Sequence, residues 1–171
     1  MKKLYILLIF FIFTQNPLQA DLPRFIDFKY ILNNSEAGKK AQKFLKTKLE
    51  NGLKNFKKEE NKILEDEKKI IQQKKILSSE EYKKKVNELR SKVSSLQKER
   101  NGLLENIAKQ RSKARDELLK NLNPILKEYM QENNIRMVID KKSLLLADEN
   151  LDLTNEIIKR LNNKLKSIEL K

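Results

Sequence analysis

Acidic side chains are the residues of this chain that could bind a metal or transfer protons. They form one run, Glu65-Asp66-Glu67, and a looser set at Asp140, Asp148 and Asp152. Neither group has the spacing of a calcium-binding loop, and no nucleophile or base accompanies them. Cys and His are absent, which removes the thiolate and imidazole ligands and the commonest general base. We therefore predict surface and helix-capping roles for these acids, with no metal, no cofactor and no enzymatic activity.

The chain is strongly basic, with a formal net charge of +14 over 171 residues. Lys2 and Lys3 are the only charges among the first 20 residues, so the remainder carries +12. A surplus of this size favours an anionic partner, such as nucleic acid, an anionic membrane surface or acidic protein clients. Charge alone does not choose among these partners.

The first 20 residues have the order of a secretory signal. Lys2-Lys3 precede an apolar run from Leu4 to Phe13, and a polar stretch containing Pro17 then ends at Ala20. The apolar run is too short to cross a bilayer, which needs about 20 apolar residues. We predict that residues 1–20 are a cleaved signal peptide and that the mature protein is exported.

Two long helices are predicted in the centre of the chain. Ser35 can cap the first, and apolar residues then recur at seven-residue spacing until a Ser78–Glu81 capping box starts the second. Two periodic helices joined by a few residues fold back as an antiparallel pair. The first seam is Leu49, Phe56, Ile63, Ile70 and Leu77; the second is Val86, Leu89, Val93, Leu96, Arg100, Leu103, Ile107, Gln110 and Ala114.

The chain ends contain short apolar segments that predict strands. These are 24–28, 135–139 and 144–147, and a final helix is predicted from Thr154 to Leu165. Pro124 predicts a kink or a new helical turn, and Asn133-Asn134 a helix end. The predicted fold is mostly α with a small β part: a long antiparallel coiled-coil hairpin, the arm (36–133), projects from a small α/β body (21–35 and 134–171).

Two sets of arm residues are candidates for binding a client. The first is a basic cluster at the arm tip, which could steer acidic clients or phosphate-bearing lipids, or could be an ordinary solvated face. The second is a set of apolar residues off the seam, which could contact clients or widen the hairpin interface. The basic cluster is Lys68, Lys69, Lys74, Lys75, Lys83, Lys84 and Lys85, and the apolar set is Leu53, Leu64, Ile71 and Leu104.

The two chain ends resemble the Skp (OmpH-like) family of periplasmic chaperones. Residues 25–42, FIDFKYILNNSEAGKKAQ, look like the strand-to-helix opening of that family. Residues 135–141, IRMVIDK, with Ala147-Asp148 and the run from Leu151 to Thr154, look like its closing segment. Asn133-Asn134 stands where relatives often have Gly. The resemblance spans essentially the whole mature chain.

The resemblance implies a homotrimer whose bodies associate through strands and whose arms enclose a cavity. It also implies an ATP-independent holdase for unfolded outer-membrane β-barrel proteins. Because two or three brief strands bury little apolar area alone, we expect Phe25, Phe28, Val138 and Ile139 to be shared between subunits.

Two rival functions remain open at this stage. A nucleic-acid-binding protein would suit basic helices, but the export signal and the interleaving of lysines with glutamates argue against it, so nucleic acid is not expected. A purely structural coiled-coil spacer would predict no affinity for unfolded barrels. Anionic lipid or lipopolysaccharide is a further candidate partner.

Overall fold

A computed structural model describes residues 22–171. The elements follow in the order β1 (Arg24–Ile26), α1 (Phe28–Asn34), α2 (Glu36–Gln73), α3 (Ser79–Glu132), β2 (Val138–Asp140) and α4 (Thr154–Lys164), with short 3-10 turns at Lys141–Ser143 and Glu149–Leu151. The predicted signal peptide lies outside the described residues. The fold class is confirmed: two long helices dominate, and a small sheet joins the chain ends.

The arm consists of α2 and α3 packed antiparallel. At 1.5 Å per residue, the 38 residues of α2 make it about 57 Å long. Ser35 caps α2, accepting a hydrogen bond from the backbone N–H of Gly38 at 3.2 Å. A Cβ at Gly38 would collide with the backbone carbonyl of Leu32, so this position needs glycine for α1 to pack against α2.

The small sheet pairs β1 with β2 in parallel, and Phe25 lies opposite Ile139. Parallel strands need a crossover connection, and here the whole arm supplies it. The other edge of β1 is covered, because the backbone N–H of Leu153 donates to the carbonyl of Phe25 at 2.9 Å. Within residues 22–171, no further strand pairs with β2, which therefore ends the sheet.

The core of the body lies between the chain ends and the base of the arm. The two long helices reach into it, α2 through Ala37 and α3 through Leu118, Leu122 and Ile125. On the chain-end side it buries Ile31 completely, together with Ile157 and Leu161 of α4. Burying a large aliphatic side chain contributes about 1.5–3 kcal/mol, so the chain ends are held where the helices emerge.

Two local predictions were wrong, and one of the two alternatives at Pro124 is excluded. The first strand ends at Ile26, because the Asp27 carboxylate accepts a hydrogen bond from the backbone N–H of Tyr30 at 2.8 Å and starts α1, which contains Phe28. The segment from Leu144 to Ala147 is not a strand, since it has no partner within the described chain. No new helix begins at Pro124: α3 runs on to Glu132, and Leu122 and Ile125, on either side of Pro124, are buried in the core.

The helix ends agree better with the sequence. Asn134 has a φ of 52°, the left-handed conformation predicted where the second helix stops. The final helix ends at Lys164, within one residue of the prediction.

Candidate functional site

The arm tip is closed by reciprocal hydrogen bonds between Ser78 and Glu81. The Ser78 hydroxyl accepts from the backbone N–H of Glu81 at 3.3 Å, and Glu81 Oε2 accepts from the backbone N–H of Ser78 at 3.1 Å. The predicted capping box is thus present. Hydrogen bonds from the Ser78 hydroxyl and backbone lower the pKa of Glu81 below its ordinary value of 4.5, so the carboxylate stays charged beside the tip lysines.

The lysines of the basic cluster surround this turn. Six of the seven are exposed and Lys85 is half-buried. Within the described residues, none of them forms an ion pair with a carboxylate. Lys74 lies over the ring of Tyr82, with its Nζ 5.8 Å from the ring centroid. The cluster is therefore available to anionic groups.

The off-seam apolar residues are exposed on the arm surface. The exposed fractions are 41% for Leu53, 51% for Leu64, 60% for Ile71 and 49% for Leu104. The seam residues Leu49, Phe56, Ile63 and Ile70 are half-buried by comparison. Within one chain, the off-seam residues therefore do not widen the hairpin interface to any large extent.

The structure adds two exposed apolar residues that the sequence analysis did not select. Ile76, in the tip turn, is 85% exposed, and Val93 is 50% exposed although it was assigned to the seam. Near the tip the helices leave an open groove of about 780 Å³. Its apolar lining is Ile70, Ile71, Tyr82, Val86, Leu89 and Val93.

Polar pairs replace part of the apolar seam in the middle of the arm. Arg100 donates to Glu60 at 3.1 Å and Lys92 donates to Asp66 at 2.6 Å, each bond joining α3 to α2. The hydrogen bond between Lys92 and Asp66 lowers the pKa of Asp66 and raises the pKa of Lys92. Because both pairs are solvent-exposed, they fix the helix register more than they stabilise the arm.

The predicted trimerisation residues lie in different environments. Phe25 is only 5% exposed within the single chain, so it belongs to the protomer's own core. Phe28, Val138 and Ile139 are half-buried. The sequence analysis missed Leu145 and Leu146, which are 107% and 93% exposed in the loop after β2. The sequence feature that could have identified them is the run of three consecutive leucines, 144–146, in the segment that we had predicted to be a strand.

The acidic residues have structural roles. Asp140, Asp148 and Asp152 each accept a hydrogen bond from a backbone N–H two residues further along. Among residues 22–171, no three acidic side chains converge in a way that could hold a metal ion. In the same range no helix is long and apolar enough to span a membrane.

Comparisons with known proteins agree with this architecture. The model of the family described as "Outer membrane protein (OmpH-like)" matches residues 24–161, from β1 into α4. The chain belongs to the OmpH-like family. This OmpH-like protein also shares its fold with the crystal structure of a protein assigned as an OmpH-like outer membrane chaperone from Caulobacter crescentus CB15. The TM-score is 0.80 at 17% identity, covering 88% of this chain and 90% of the other. Among curated proteins, none matches this chain in sequence.

Proposed function

We propose that this OmpH-like protein is a periplasmic, ATP-independent holdase chaperone that keeps unfolded outer-membrane β-barrel proteins soluble. Its family membership, and the fold it shares with a protein assigned as an outer membrane chaperone, support the chaperone role. The export signal predicted in residues 1–20 supports the periplasmic location.

The observation that carries the holdase proposal is the pattern of exposed apolar side chains along the arm. Leu53, Leu64 and Leu104 are exposed and are separated along the sequence by lysines and glutamates, and Ile71 lies in the open groove near the tip. Isolated apolar contacts are individually weak, so an unfolded chain is held by many of them and can leave without ATP. The surrounding charge keeps the arms from associating with one another.

We propose a homotrimer as the working unit. Phe28, Val138 and Ile139 remain the candidates for shared contacts, because β2 is an open sheet edge to which another subunit's backbone could add. Leu145 and Leu146 join them, since two nearly fully exposed neighbouring leucines are costly in water. Three arms extending from one assembled body would surround a client.

The direct test is an aggregation assay. An unfolded β-barrel protein is diluted out of urea, and light scattering is followed with and without mature chaperone. We expect scattering to be suppressed at about one trimer per client. A variant with Leu53, Leu64, Ile71 and Leu104 changed to Ser should suppress less. A matched variant with Asn51, Asn55, Asn61 and Gln72, all exposed on α2 and outside the groove near the tip, changed to Ser should act like the wild type.

The result also separates the rival functions. A structural spacer would leave scattering unchanged even for the wild type. A nucleic-acid-binding protein would bind duplex DNA with a steep salt dependence and would not protect the barrel. If the Leu/Ile→Ser variant protects as well as the wild type, the client contacts must lie in the basic cluster or in the body.

A further inference from the structure

An apolar groove with a basic rim runs along one flank of the arm base. Its floor is formed by Leu45 and Ala41 of α2 and by Ile107, Ala114 and Leu118 of α3. The groove has a volume of about 780 Å³. Lining residues extend along α2 from Gly38 to Leu49, which corresponds to about 16 Å of helix. An extended chain rises about 3.3 Å per residue, so the groove accommodates about five residues of a ligand strand.

The charged side chains on the rim of the groove are all cationic. Five cationic side chains line the groove and no carboxylate does. All five are exposed, and only Lys46 forms an ion pair within residues 22–171, with Glu50 at 3.8 Å. Such a rim repels a second copy of this basic chain and attracts an anionic ligand. The five are Lys39, Lys43, Lys46, Arg111 and Arg115.

The same two helices already hold another part of the chain, its own non-helical C-terminal segment. Lys48 Nζ donates to the backbone carbonyl of Lys171 at 2.7 Å, and Lys113 Nζ donates to that of Glu169 at 2.8 Å. The backbone N–H of Lys171 donates to Gln110 Oε1 at 3.1 Å. None of these three side chains on α2 and α3 lines the groove. At the arm base, long side chains on these helices therefore already bind the backbone groups of a non-helical segment.

We propose that this basic-rimmed groove is a binding site for an extended acidic segment of the client polypeptide, in which aliphatic residues alternate with Asp or Glu. Alternation suits the site because successive side chains of an extended strand point to opposite sides. The aliphatic side chains face the floor, and the carboxylates reach the rim cations, with Arg111 and Arg115 one helical turn apart on α3. This proposal adds a specific binding site to the proposed chaperone function, and it rests on that function for identifying the bound polypeptide as a client.

The test uses the full mature protein and a defined probe. The probe is a peptide of about seven residues, alternating Leu and Asp and labelled with a neutral fluorophore, whose binding is measured by anisotropy. The matched peptide carries Ser in place of Asp. The variant is Arg111→Gln with Arg115→Gln, and its control is Lys54→Gln with Lys58→Gln. The control removes the same charge at the same spacing from exposed positions of α2 outside the groove.

We expect the Asp peptide to bind and the Ser peptide to bind much more weakly. Exposed ion pairs contribute about 0.2–1 kcal/mol each, so losing two should weaken binding by about 2- to 30-fold, while the control should leave it at the wild-type level. Raising NaCl from about 50 mM to about 500 mM should weaken wild-type binding towards the level of the variant. Equal binding to the groove variant and the control variant would overturn the proposal.

Two other outcomes would also overturn it. If the arginine variant changes the sedimentation coefficient, the groove is a subunit interface. If phosphatidylglycerol vesicles bind in an arginine-dependent manner and the Asp peptide does not, the groove is a lipid site. The proposed holdase function is tested separately by light scattering. If the wild type binds the peptide but never protects a barrel protein, the holdase proposal is rejected and the groove remains a peptide-binding site. If the arginine variant no longer binds the peptide but still protects the barrel protein fully, the holdase proposal stands and the groove has no role in holding clients.

Discussion

The backbone N–H of Asp27 donates a 2.7 Å hydrogen bond to Oγ1 of Thr154, which lies 127 residues further along the chain. Thr154 is only 5% exposed, and this bond joins the start of α1 to the start of α4. Two further contacts join the start of α2 to the end of α4. The backbone N–H of Glu36 donates to Asn162 Oδ1 at 2.8 Å, and Lys166 pairs with the Glu36 carboxylate at 3.2 Å. The body is thus held closed by polar contacts around its apolar core.

Replacing Thr154 with Val should destabilise the body. The side chain keeps its shape, but the Asp27 N–H loses its acceptor in a part-buried position, which costs about 1–2 kcal/mol. Urea denaturation followed by circular dichroism measures the change. Thr154→Ser keeps the hydroxyl and should lose less. If Thr154→Val were as stable as the wild type, the bond would not be holding the chain ends together.

Two glycines of the arm offer a matched test of how closely its helices pack. A Cβ at Gly52 would collide with the side chain of Leu103 across the hairpin, whereas a Cβ at Gly102 would meet nothing. Gly102→Ala should therefore stabilise the arm by about 0.5–1 kcal/mol through helix propensity. Gly52→Ala should gain less, because Leu103 must move. Thermal unfolding measures both.

The same glycine substitutions can be made in a Leu103→Ala background. The difference between Gly52→Ala and Gly102→Ala should disappear there, because the colliding side chain is gone. A difference that persists would mean that something other than Leu103 limits the approach of α2 to α3.

The arm tip should loosen in acid. The folded-state pKa of Glu81 is lowered, so its contribution to stability is present above the ordinary value of 4.5 and is lost as the pH falls through the lowered pKa. Hydrogen exchange in the first turn of α3 should therefore speed up below that pH, after correction for the intrinsic rate. Glu81→Gln should remove this pH dependence at the tip. An unchanged acid profile in the Gln variant would assign the effect to another carboxyl group, such as Asp66.

The regular part of the fold could be predicted because local rules determine it. Seven-residue periodicity indicated α2 and α3, and the Ser78–Glu81 spacing located the tip, since a capping box depends only on neighbouring residues. The secondary structure of segment 144–147 could not be predicted from local rules. Its leucines favour a strand, but a strand forms only where a partner is present. Pro124 left a kink or a new helical turn open, and the helix continues through it with buried residues on either side.

The candidate site could be predicted only in part. Exposure of Leu53, Leu64, Ile71 and Leu104 depends on the angle at which the helices meet, which periodicity leaves open. The basic-rimmed groove was not found, because its cations come from two segments, 39–46 of α2 and 111–115 of α3, that lie more than 60 residues apart in sequence. Their shared flank becomes visible only when the register of the hairpin is known.

Replacing Leu145 and Leu146 with Ser should weaken the trimer without unfolding the protomer. Both side chains are almost fully exposed in the single chain, so their removal costs the protomer's own core nothing. Sedimentation velocity should show the wild type as a trimer at micromolar concentration and the variant dissociating at higher concentration. Circular dichroism should show the same helix content in both. A wild type that sediments as a folded monomer would contradict the trimer proposal itself.

Shortening the arm should separate assembly from holding. Arg100 with Glu60, and Lys92 with Asp66, set a register in which Lys62 and Gln97 lie nearly opposite each other. Deleting residues 63–96 and joining these ends by a short Gly-containing turn should therefore leave the remaining helices paired. The body core lies below the cut and should be unaffected, so we expect the shortened protein to form trimers.

The shortened trimers should fail to protect an unfolded β-barrel protein from aggregation. The deletion removes the exposed Leu64 and Ile71, the open groove near the tip and the whole basic cluster, so most of the candidate client contacts are lost. The basic-rimmed groove at the base remains, so binding of the alternating Leu and Asp peptide should persist. Light scattering at equal molar ratio measures protection, and sedimentation confirms assembly. A shortened protein that forms trimers and protects as well as the wild type would show that the client is held by the body and the arm base.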